Sequence, residues 1–444
     1  MCRCSPLGKA TAPSDTWHSE GYHSGAKIAR SRGIDCHWAR ASPKYQEICQ
    51  EGDHVKIGLV HEGHGETLVA LTPDSVQRLV SKGHTITVEA GAGNAAGFND
   101  QQYCDAGATI QEERKALVVE SDVIATVTGP REAAEWGELS PGTVVVGMLK
   151  PFSAPVRLYE HWAEAGVTAL SMDALPRISR AQSMDVLSSL STVMGYRAAI
   201  IAAERVRKFF PLLMTAAGTI PPARVLILGA GVAGLQAIAT AHRLGARVEA
   251  FDTRPEVREQ VESLGATFLT LDVESQATQD GYATELADDA HKKENERLRE
   301  PVARADAIIT TAQIPGQRAP ILITREMLSG MRPGSVIIDL AAETGGNTEV
   351  TKVGESVFYA GVEVVGSRNL ASELPHDASQ LFGRNLANFL QYLEDAGITW
   401  NAQHEVSLPD DEIVNRTMLI HEGRLLHAGL LKRQGGGVLD VTHR

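Results

Sequence analysis

A glycine-rich turn near the middle of the chain constrains the fold more than any other feature of the sequence. Gly229, Gly231 and Gly234 form the pattern G-x-G-x-x-G. A strand pattern over 224–228 precedes the turn, and a helical pattern over 232–244 follows it. This order is typical of a dinucleotide-binding βαβ unit. There the first glycine permits the tight turn, the second lets a pyrophosphate approach the backbone, and the third lets helix and strand pack closely.

The strand pattern after the turn ends in an acidic residue. Asp252 lies eighteen residues after Gly234, where a carboxylate accepts hydrogen bonds from the adenosine ribose hydroxyls. Its charge would repel a 2′-phosphate, so NAD(H) is favoured over NADP(H), although Arg254 and Arg258 are cations of the kind that accommodate such a phosphate. The residues of the turn that we predict to bind NAD(H) are Gly229, Ala230, Gly231, Val232 and Gly234.

Strand and helix patterns alternate on both sides of the turn, which predicts an α/β fold with mostly parallel sheets. A chain of 444 residues is too long for one ordinary domain, so we expect two Rossmann-like α/β domains. We place the first at 55–190 plus 375–432 and the NAD-binding second at 191–374. The first domain is then discontinuous and closed by a C-terminal helix, since apolar residues from Ala378 to Asp395 have helical spacing.

Three further segments carry structural expectations. A long helix is predicted from about Ser183 to Phe210, where Pro211 would end it. Residues 1–54 have no strand or helix periodicity, so we expect a disordered or artefactual extension that NADH binding does not need. The highly charged residues 274–304 fit two interpretations, a solvated helix or a mobile lid over a ligand.

Charge and composition exclude several classes of protein. The formal net charge of −13 argues against nucleic-acid binding, because phosphates would repel the chain. The apolar runs at 144–149 and 198–203 are much shorter than the roughly 18 residues that span a bilayer, so we expect no direct membrane insertion. Five cysteines, four of them before residue 50, fit a reducing cytoplasmic compartment, and Cys2, Cys4, Cys36 and His37 match no common zinc spacing. We therefore predict no metal site.

Several motifs resemble the NAD(H)-binding alpha subunit of proton-translocating NAD(P) transhydrogenases. The most specific is Arg177-x-x-x-x-Gln182-x-x-Asp185, at the start of the predicted long helix. Four other stretches match the same family, and the resemblance covers about 55–432. These stretches are 214–219, 231–240, 333–340 and 410–414.

The resemblance implies roles for individual residues. At the nicotinamide end of the cofactor it implies Arg177, Gln182, Asp185 and Ser188 as the catalytic residues, with Gln182 bridging to a second nucleotide. It implies Ile178 and Ser179 as further cofactor-binding residues. Around the rest of the cofactor it implies Asp252, Thr253 and Arg254 at the ribose, Gly281 and Tyr282 on a mobile loop, and Gln313 beside a strand end. Asp185 and Ser188 also fit a simpler role, since residues at this spacing commonly satisfy a helix end.

The family also implies an activity and an assembly. Hydride would pass directly from NADH on this chain to NADP⁺ on a partner beta subunit, without a side-chain base. A small membrane alpha subunit and the beta subunit would couple the transfer to proton movement. We expect a homodimer attached peripherally to the inner (plasma) membrane through these partners. Because no spanning segment is visible, we expect the membrane chains to be separate polypeptides.

Two other functions stay open. The first domain also resembles alanine dehydrogenase, which needs a lysine and a histidine at its substrate. This chain has Thr126 and Thr128 near the expected lysine and Leu149 near the expected histidine, and Leu68 replaces an expected arginine. Lys150 is a possible substitute at a different position. The third interpretation is a non-catalytic NAD-sensing module, which would keep Asp252 and turn nothing over.

Overall fold

The computed structural model describes residues 55–270, 297–314, 317–400 and 405–434. The predictions for residues 1–54 and for Gly281 and Tyr282 therefore lie outside the described residues. Of the charged segment 274–304, residues 297–304 are described, and they are helical.

The strands of the described residues lie in two large sheets and two small two-stranded sheets. They are β1 (Lys56–Leu59), β2 (Thr85–Glu89), β3 (Thr109–Gln111), β4 (Val123–Ala125), β5 (Val144–Gly147), β6 (Thr168–Ser171), β7 (Leu213–Thr215), β8 (Gly218–Ile220), β9 (Arg224–Leu228), β10 (Arg247–Phe251), β11 (Thr267–Phe268), β12 (Ala307–Thr310), β13 (Val336–Asp339), β14 (Ser356–Tyr359), β15 (Val362–Gly366), β16 (Thr399–Trp400), β17 (Val406–Ser407), β18 (Met418–His421) and β19 (Arg424–Leu425).

Helices connect most of these strands, and short 3-10 turns, among them Ser179–Met184, adjoin several of them. The helices are α1 (Pro73–Val80), α2 (Asp100–Asp105), α3 (Arg114–Glu120), α4 (Val156–Glu164), α5 (Val186–Arg205), α6 (Val232–Arg243), α7 (Arg258–Ser263), α8 (297–304), α9 (Arg325–Ser329), α10 (Pro375–Ala396), α11 (Glu412–Thr417) and α12 (Ala428–Gln434).

Both large sheets have the strand order of a Rossmann fold. The first sheet runs β19-β18-β6-β5-β4-β1-β2-β3, and the second runs β11-β10-β9-β12-β13-β15-β14. All neighbours are parallel except β18 and β19 in the first sheet and β14 in the second. The order in which strands are added therefore reverses once in each sheet, between β1 and β4 in the first and between β9 and β12 in the second. Ligands of such sheets bind beyond the carboxyl ends of the strands at this reversal point. The predicted fold, two Rossmann-like α/β domains, is confirmed.

The chain returns to the first domain at its C-terminal end, as predicted. Helix α10 contributes Phe382, Leu386 and Phe389 to the core beneath the first sheet, and β18 pairs with β6 at the edge of that sheet. Pro375 begins α10, three residues earlier than the apolar pattern shows, because proline suits the first turn of a helix. The precise domain boundaries stay predictions, and the one at 190/191 falls inside α5.

Helix α5 ends earlier than predicted. It stops at Arg205, because Val206 leaves the helix in an extended conformation. The backbone after Arg205 forms hydrogen bonds outside the helix. The N–H of Arg207 donates to the Gly334 carbonyl at 3.3 Å, and the Ala223 N–H donates to the carbonyls of Phe209 and Phe210, each at 3.1 Å. Bonding to the second domain, rather than Pro211, therefore ends the helix.

Helix α5 is also long and apolar enough to cross a membrane by length and composition alone. Its apolar stretch exceeds the run 198–203, which by itself would be too short. The helix packs against α6 and α10 and contributes residues to the cores of both domains. We therefore interpret α5 as a core helix that joins the two domains.

Candidate functional site

A cleft of about 2120 Å³ lies between the carboxyl ends of the two sheets. Gly63 and Thr128, which follow β1 and β4, line its first-domain wall. Gly229, Asp252 and Thr311, which follow β9, β10 and β12, line the opposite wall. Both points where the sheets reverse direction therefore face one cleft, which is the expected place for a ligand in folds of this kind.

The three glycines of the turn have different surroundings. Gly229 has a φ of +102°, a conformation that side chains rarely adopt, and a Cβ there would lie 2.4 Å from the Thr311 hydroxyl. A Cβ on Gly234 would lie 1.9 Å from the Gly229 carbonyl, so close packing of α6 requires glycine. A Cβ on Gly231 would meet nothing within 4 Å. Neither space nor backbone conformation requires glycine at Gly231, whose surroundings open onto the cleft at the N-terminus of α6.

The carboxylate of Asp252 is engaged by its own neighbourhood. It accepts from the Ala230 N–H at 2.7 Å and from the Arg254 N–H at 2.9 Å, and the Arg254 guanidinium reaches it at 2.9 and 3.0 Å. Partial burial works to raise the pKa of Asp252, but the hydrogen bonds from Arg254 and Ala230 outweigh burial and hold that pKa below its usual value. Asp252 is therefore an anion fixed at the end of β10, and Arg254 bonds both of its oxygens, which were expected to accept hydrogen bonds from the ribose hydroxyls.

The segment that carries the family signature lines the cleft. Arg177 and Gln182 are exposed there, at the ends of a short stretch that includes the 3-10 turn Ser179–Met184. Asp185 caps α5, because its carboxylate accepts from the Ser188 N–H at 3.0 Å and from the Ser188 hydroxyl at 2.5 Å. The helix-capping role that the sequence suggested for this pair is thus present in the structure. Asp185 and Ser188 also line the cleft, so capping does not prevent either residue from facing a ligand.

The structure brings most of the predicted site residues together. The members that line the cleft are Arg177, Ile178, Ser179, Gln182, Asp185, Ser188, Gly229, Gly231, Val232, Asp252, Thr253, Arg254 and Gln313. Ala230 and Gly234 are buried beneath the turn. Gln313 is held by a hydrogen bond of 2.8 Å from its amide to the Leu340 carbonyl, which fixes it at the end of β12.

The charges around the cleft are arranged to attract anions. Within the described ranges, three arginines line it without a side-chain hydrogen bond or ion pair; these are Arg131, Arg177 and Arg368. The acidic residues that line it are bonded to other groups of the chain, as Asp252 is to Arg254 and Glu373 is to Arg197. Free cations beside satisfied anions suit a ligand that carries phosphate groups.

Sequence reasoning missed Glu62, which occupies the reversal point of the first sheet. It is 5% exposed and accepts from the Thr126 hydroxyl at 2.8 Å and from the N–H groups of Val127 and Thr128 at 2.5 and 3.3 Å. Burial raises the pKa of Glu62 to about 7 against these bonds, and the charge of Glu66 adds to the rise. At the reversal point of the first sheet, the backbone N–H groups of Val127 and Thr128 are therefore bonded to a carboxylate of the chain itself.

His64 and Lys150 are two further residues of the cleft that the sequence patterns did not single out as a pair. Both line it, and both have a left-handed backbone, with φ of 58° and 54°. His64 bonds Glu135 at 2.8 Å through Nε2. The backbone N–H of Lys150 donates to Asp173 at 3.1 Å, and the Lys150 residue is exposed and lines the cleft. A histidine and a lysine are thus present after all, at positions other than those of the alanine dehydrogenase pattern.

The comparisons with known proteins decide the family. The model of the alanine dehydrogenase/PNT N-terminal domain matches residues 58–194, and the model of the C-terminal domain matches residues 198–428. The chain belongs to the alanine dehydrogenase/PNT family. The resemblance seen in the motifs is thereby confirmed.

Relatives on the transhydrogenase side of this family are similar over most of the chain. The first part of NAD(P) transhydrogenase subunit alpha of Rhodospirillum rubrum is 44% identical over 385 residues, which are 85% of this chain and 99% of the relative. A solved transhydrogenase structure from Sinorhizobium meliloti has 40% identity and a TM-score of 0.74, and the match covers 83% of this chain and 99% of that one.

Alanine dehydrogenases share the fold at lower identity. Alanine dehydrogenase 1 of Staphylococcus aureus is 28% identical over 82% of this chain and 93% of its own length. A solved L-alanine dehydrogenase has 26% identity and a TM-score of 0.71, covering 86% of this chain and 99% of that one. The described residues contain no cluster of three side chains that would hold a metal ion.

Proposed function

We propose that the chain is the NAD(H)-binding subunit of a proton-translocating NAD(P) transhydrogenase. The observation that carries the proposal is the turn at Gly231, where α6 begins beside open space while Gly229 and Gly234 are packed against their neighbours. A pyrophosphate fits that space, since the N–H groups and dipole at a helix N-terminus attract phosphate. The similarity to the transhydrogenase alpha subunits supports this choice within the family.

The residues of the cleft would share the work of binding and orientation. Asp252 would accept hydrogen bonds from the ribose hydroxyls once the Arg254 side chain turns away from it. The unpaired Arg177 would approach the nicotinamide end of the cofactor. Bound NADH would supply a hydride to NADP⁺ held by another chain. Gln182, exposed in the cleft, would orient the two rings. Placing the reactants correctly is the main contribution that a protein makes to such a step.

Partner chains follow from the same proposal. The Rhodospirillum relative is named as the first part of an alpha subunit, and this chain covers 99% of it. From this name we propose an NADP-binding beta subunit and a small membrane alpha subunit as partners, which would attach this chain peripherally to the membrane and couple hydride transfer to proton movement.

Two substitutions test the assignment of the cleft. Gln182→Asn should leave NADH affinity largely intact and lower the transfer rate, because a misplacement of about 1 Å costs on the order of a hundredfold. Asp252→Asn should weaken NADH binding with less effect on transfer at saturation. NADH titrations and stopped-flow transfer to an NADP analogue, with the partner added, measure both. Loss of affinity in both variants with unchanged transfer would make Gln182 a binding residue only. A wild-type chain that binds NADH and transfers nothing with any partner would favour the NAD-sensing module.

We also propose that the chain forms a homodimer through the β7–β8 hairpin. The hairpin pairs with no other strand among the described residues, and an isolated hairpin is marginal in water. Four apolar side chains on or beside it are exposed: Phe209, Leu212, Met214 and Ile220. The double variant Met214→Asp with Ile220→Asp should halve the mass measured by light scattering. Val119→Asp, a change at an exposed apolar residue of α3, should leave that mass unchanged; a dimer in the hairpin variant would refute the assignment.

An alanine dehydrogenase activity is the second candidate, because His64 and Lys150 face the same cleft. We expect none, since His64 is bonded to Glu135 and neither residue occupies the position of the alanine dehydrogenase pattern. Pyruvate, ammonia and NADH should give no turnover above background. Steady oxidation of NADH that His64→Ala abolishes would establish this candidate instead.

A further inference from the structure

A half-buried carboxylate, that of Glu66, bonds two parts of the chain that are distant in sequence. One oxygen accepts from the N–H groups of Thr67 and Leu68 at 2.9 and 3.1 Å and from the hydroxyl of Ser372. The other oxygen accepts from the side-chain amide of Asn369 at 2.9 Å. Glu66 therefore fixes its own loop to a segment about 300 residues later.

Among the described residues, that later segment is one of two connections between the domains. It comprises residues 367–374, between β15 and α10, and the other connection is α5. Leu370 belongs to the core of the second domain, and Ala371 belongs to the core of the first. The passage from one core to the other thus takes a single peptide bond. A contact that fixes this segment also fixes how the two walls of the cleft face each other.

Asn369 has the backbone geometry of a restrained joint. Its φ of 46° and ψ of 51° are left-handed, a conformation that costs energy in a residue other than glycine and persists where the surroundings hold it. The second domain holds Asn369 through Glu343, which accepts from its N–H at 3.2 Å. The first domain holds it through Glu66. One residue of the connection is therefore bonded from both sides of the cleft.

Additional bonds hold the same loop to the returning chain. The Thr67 hydroxyl donates to the Ser372 carbonyl at 2.5 Å, and the Val69 N–H donates to the Ser379 hydroxyl of α10 at 3.0 Å. Glu66, Thr67 and Ser372 line the cleft. The bonded network is thus a portion of the wall of the site.

We propose that Glu66 is a positioning residue that sets the separation of the two cleft walls through Asn369 and Ser372. With a nucleotide held by the second domain, this separation decides where its reacting ring lies relative to the first-domain wall. The expected effect on the transfer rate rests on the proposed function, whereas the expected effect on the separation of the cleft walls does not. Glu66→Ala should widen the range of distances between the domains. Glu66→Gln keeps a carbonyl oxygen that accepts from Thr67, Leu68 and Ser372, and its amide can donate to Asn369 once the Asn369 side-chain amide rotates by 180°.

The geometric test is a distance measurement between two spin labels on the full-length chain. One label is placed on the exposed Cys104 of α2 and the other on Glu262→Cys of α7, with serine replacing the cysteines at 2, 4, 36 and 49. Pulsed dipolar spectroscopy on spin-diluted samples should show a broader distance distribution in Glu66→Ala. The Glu66→Gln variant and the control Glu120→Ala, at the exposed end of α3, should keep the parent distribution.

A second variant protects the test against misfolding. Asn369→Gly keeps the left-handed backbone without strain and removes the amide, so it should broaden the distribution in the same sense. With the NADP-binding partner present, Glu66→Ala should lose on the order of a hundredfold in transfer rate at unchanged NADH affinity. An unchanged distribution in both Glu66→Ala and Asn369→Gly overturns the proposal. A parent chain without any transfer contradicts the proposed function, and the distances still decide the role of Glu66.

Discussion

Replacing Glu62 by glutamine should flatten the dependence of stability on pH. The carboxyl group of Glu62 is buried at the reversal point of the first sheet, and burial raises its pKa to about 7 from 4.5. Between these two pH values the folded chain holds a proton that the unfolded chain has released. The free energy of unfolding must therefore fall as pH rises across this window, because the unfolded state binds fewer protons.

The expected size of this effect follows from the shift. Each pH unit inside the window costs about 1.4 kcal/mol, so the Glu62 proton accounts for about 3 kcal/mol between pH 4.5 and 7. Above pH 7 both states have lost the proton and the contribution becomes constant. Glutamine at this position has the shape of the protonated acid and accepts the same bonds from Thr126 and Val127, so Glu62→Gln should lack this slope.

Urea denaturation at pH 5, 6, 7 and 8 measures the prediction. The stability of wild type relative to Glu62→Gln should fall by about 2–3 kcal/mol from pH 5 to 8. Glu164→Gln, at the exposed end of α4, is the matched control and should run parallel to wild type. Parallel curves for wild type and Glu62→Gln would show that Glu62 is already ionised at pH 5, and the argument from its burial would be wrong.

Three further predictions test the glycine turn, a buried acid and a helix contact. Gly231→Ala should fold normally and bind NADH about tenfold more weakly in a titration, whereas Gly234→Ala should lower the melting temperature; equal melting temperatures would contradict the packing argument. Asp339→Asn should cost about 3 kcal/mol in urea unfolding, because this buried carboxylate accepts four hydrogen bonds and an amide would oppose some donors with its own. Gly195→Ala should cost about 1–3 kcal/mol, since a Cβ would lie 2.1 Å from the Ala233 carbonyl, and an unchanged transition would refute that contact.

Local patterns predicted the second domain well. The strand before Gly229, the helix after it and Asp252 at the end of the next strand are all present, because each depends on residues close in sequence. The hairpin at 213–220 was not expected, since its strands are only three residues long and carry no alternating pattern. The early end of α5 depends on bonds to Gly334 and Ala223, which the helical pattern does not contain.

The first-domain wall of the cleft could not be predicted from residue spacing. Glu62 bonds a loop about 65 residues away, and Glu66 bonds one about 300 residues away. In the sequence both are ordinary acidic residues in a loop with two glycines. Their burial and their partners exist only once the strands have been ordered. The roles of Gln182, Arg177 and Asp185 remain predictions, since the structure shows where they lie and not what they bind.

Helix α5 sets the rotational phase between the two halves of the chain. Its first half contributes Val186, Leu190 and Val193 to one core, and its second half contributes Ala198 and Ala202 to the other. A helix advances about 1.5 Å and turns about 100° with each residue. A single residue inserted between these halves would therefore rotate one domain relative to the other about the helix axis by more than a quarter turn. Any exchange of whole halves between relatives must therefore preserve the residue count of this helix.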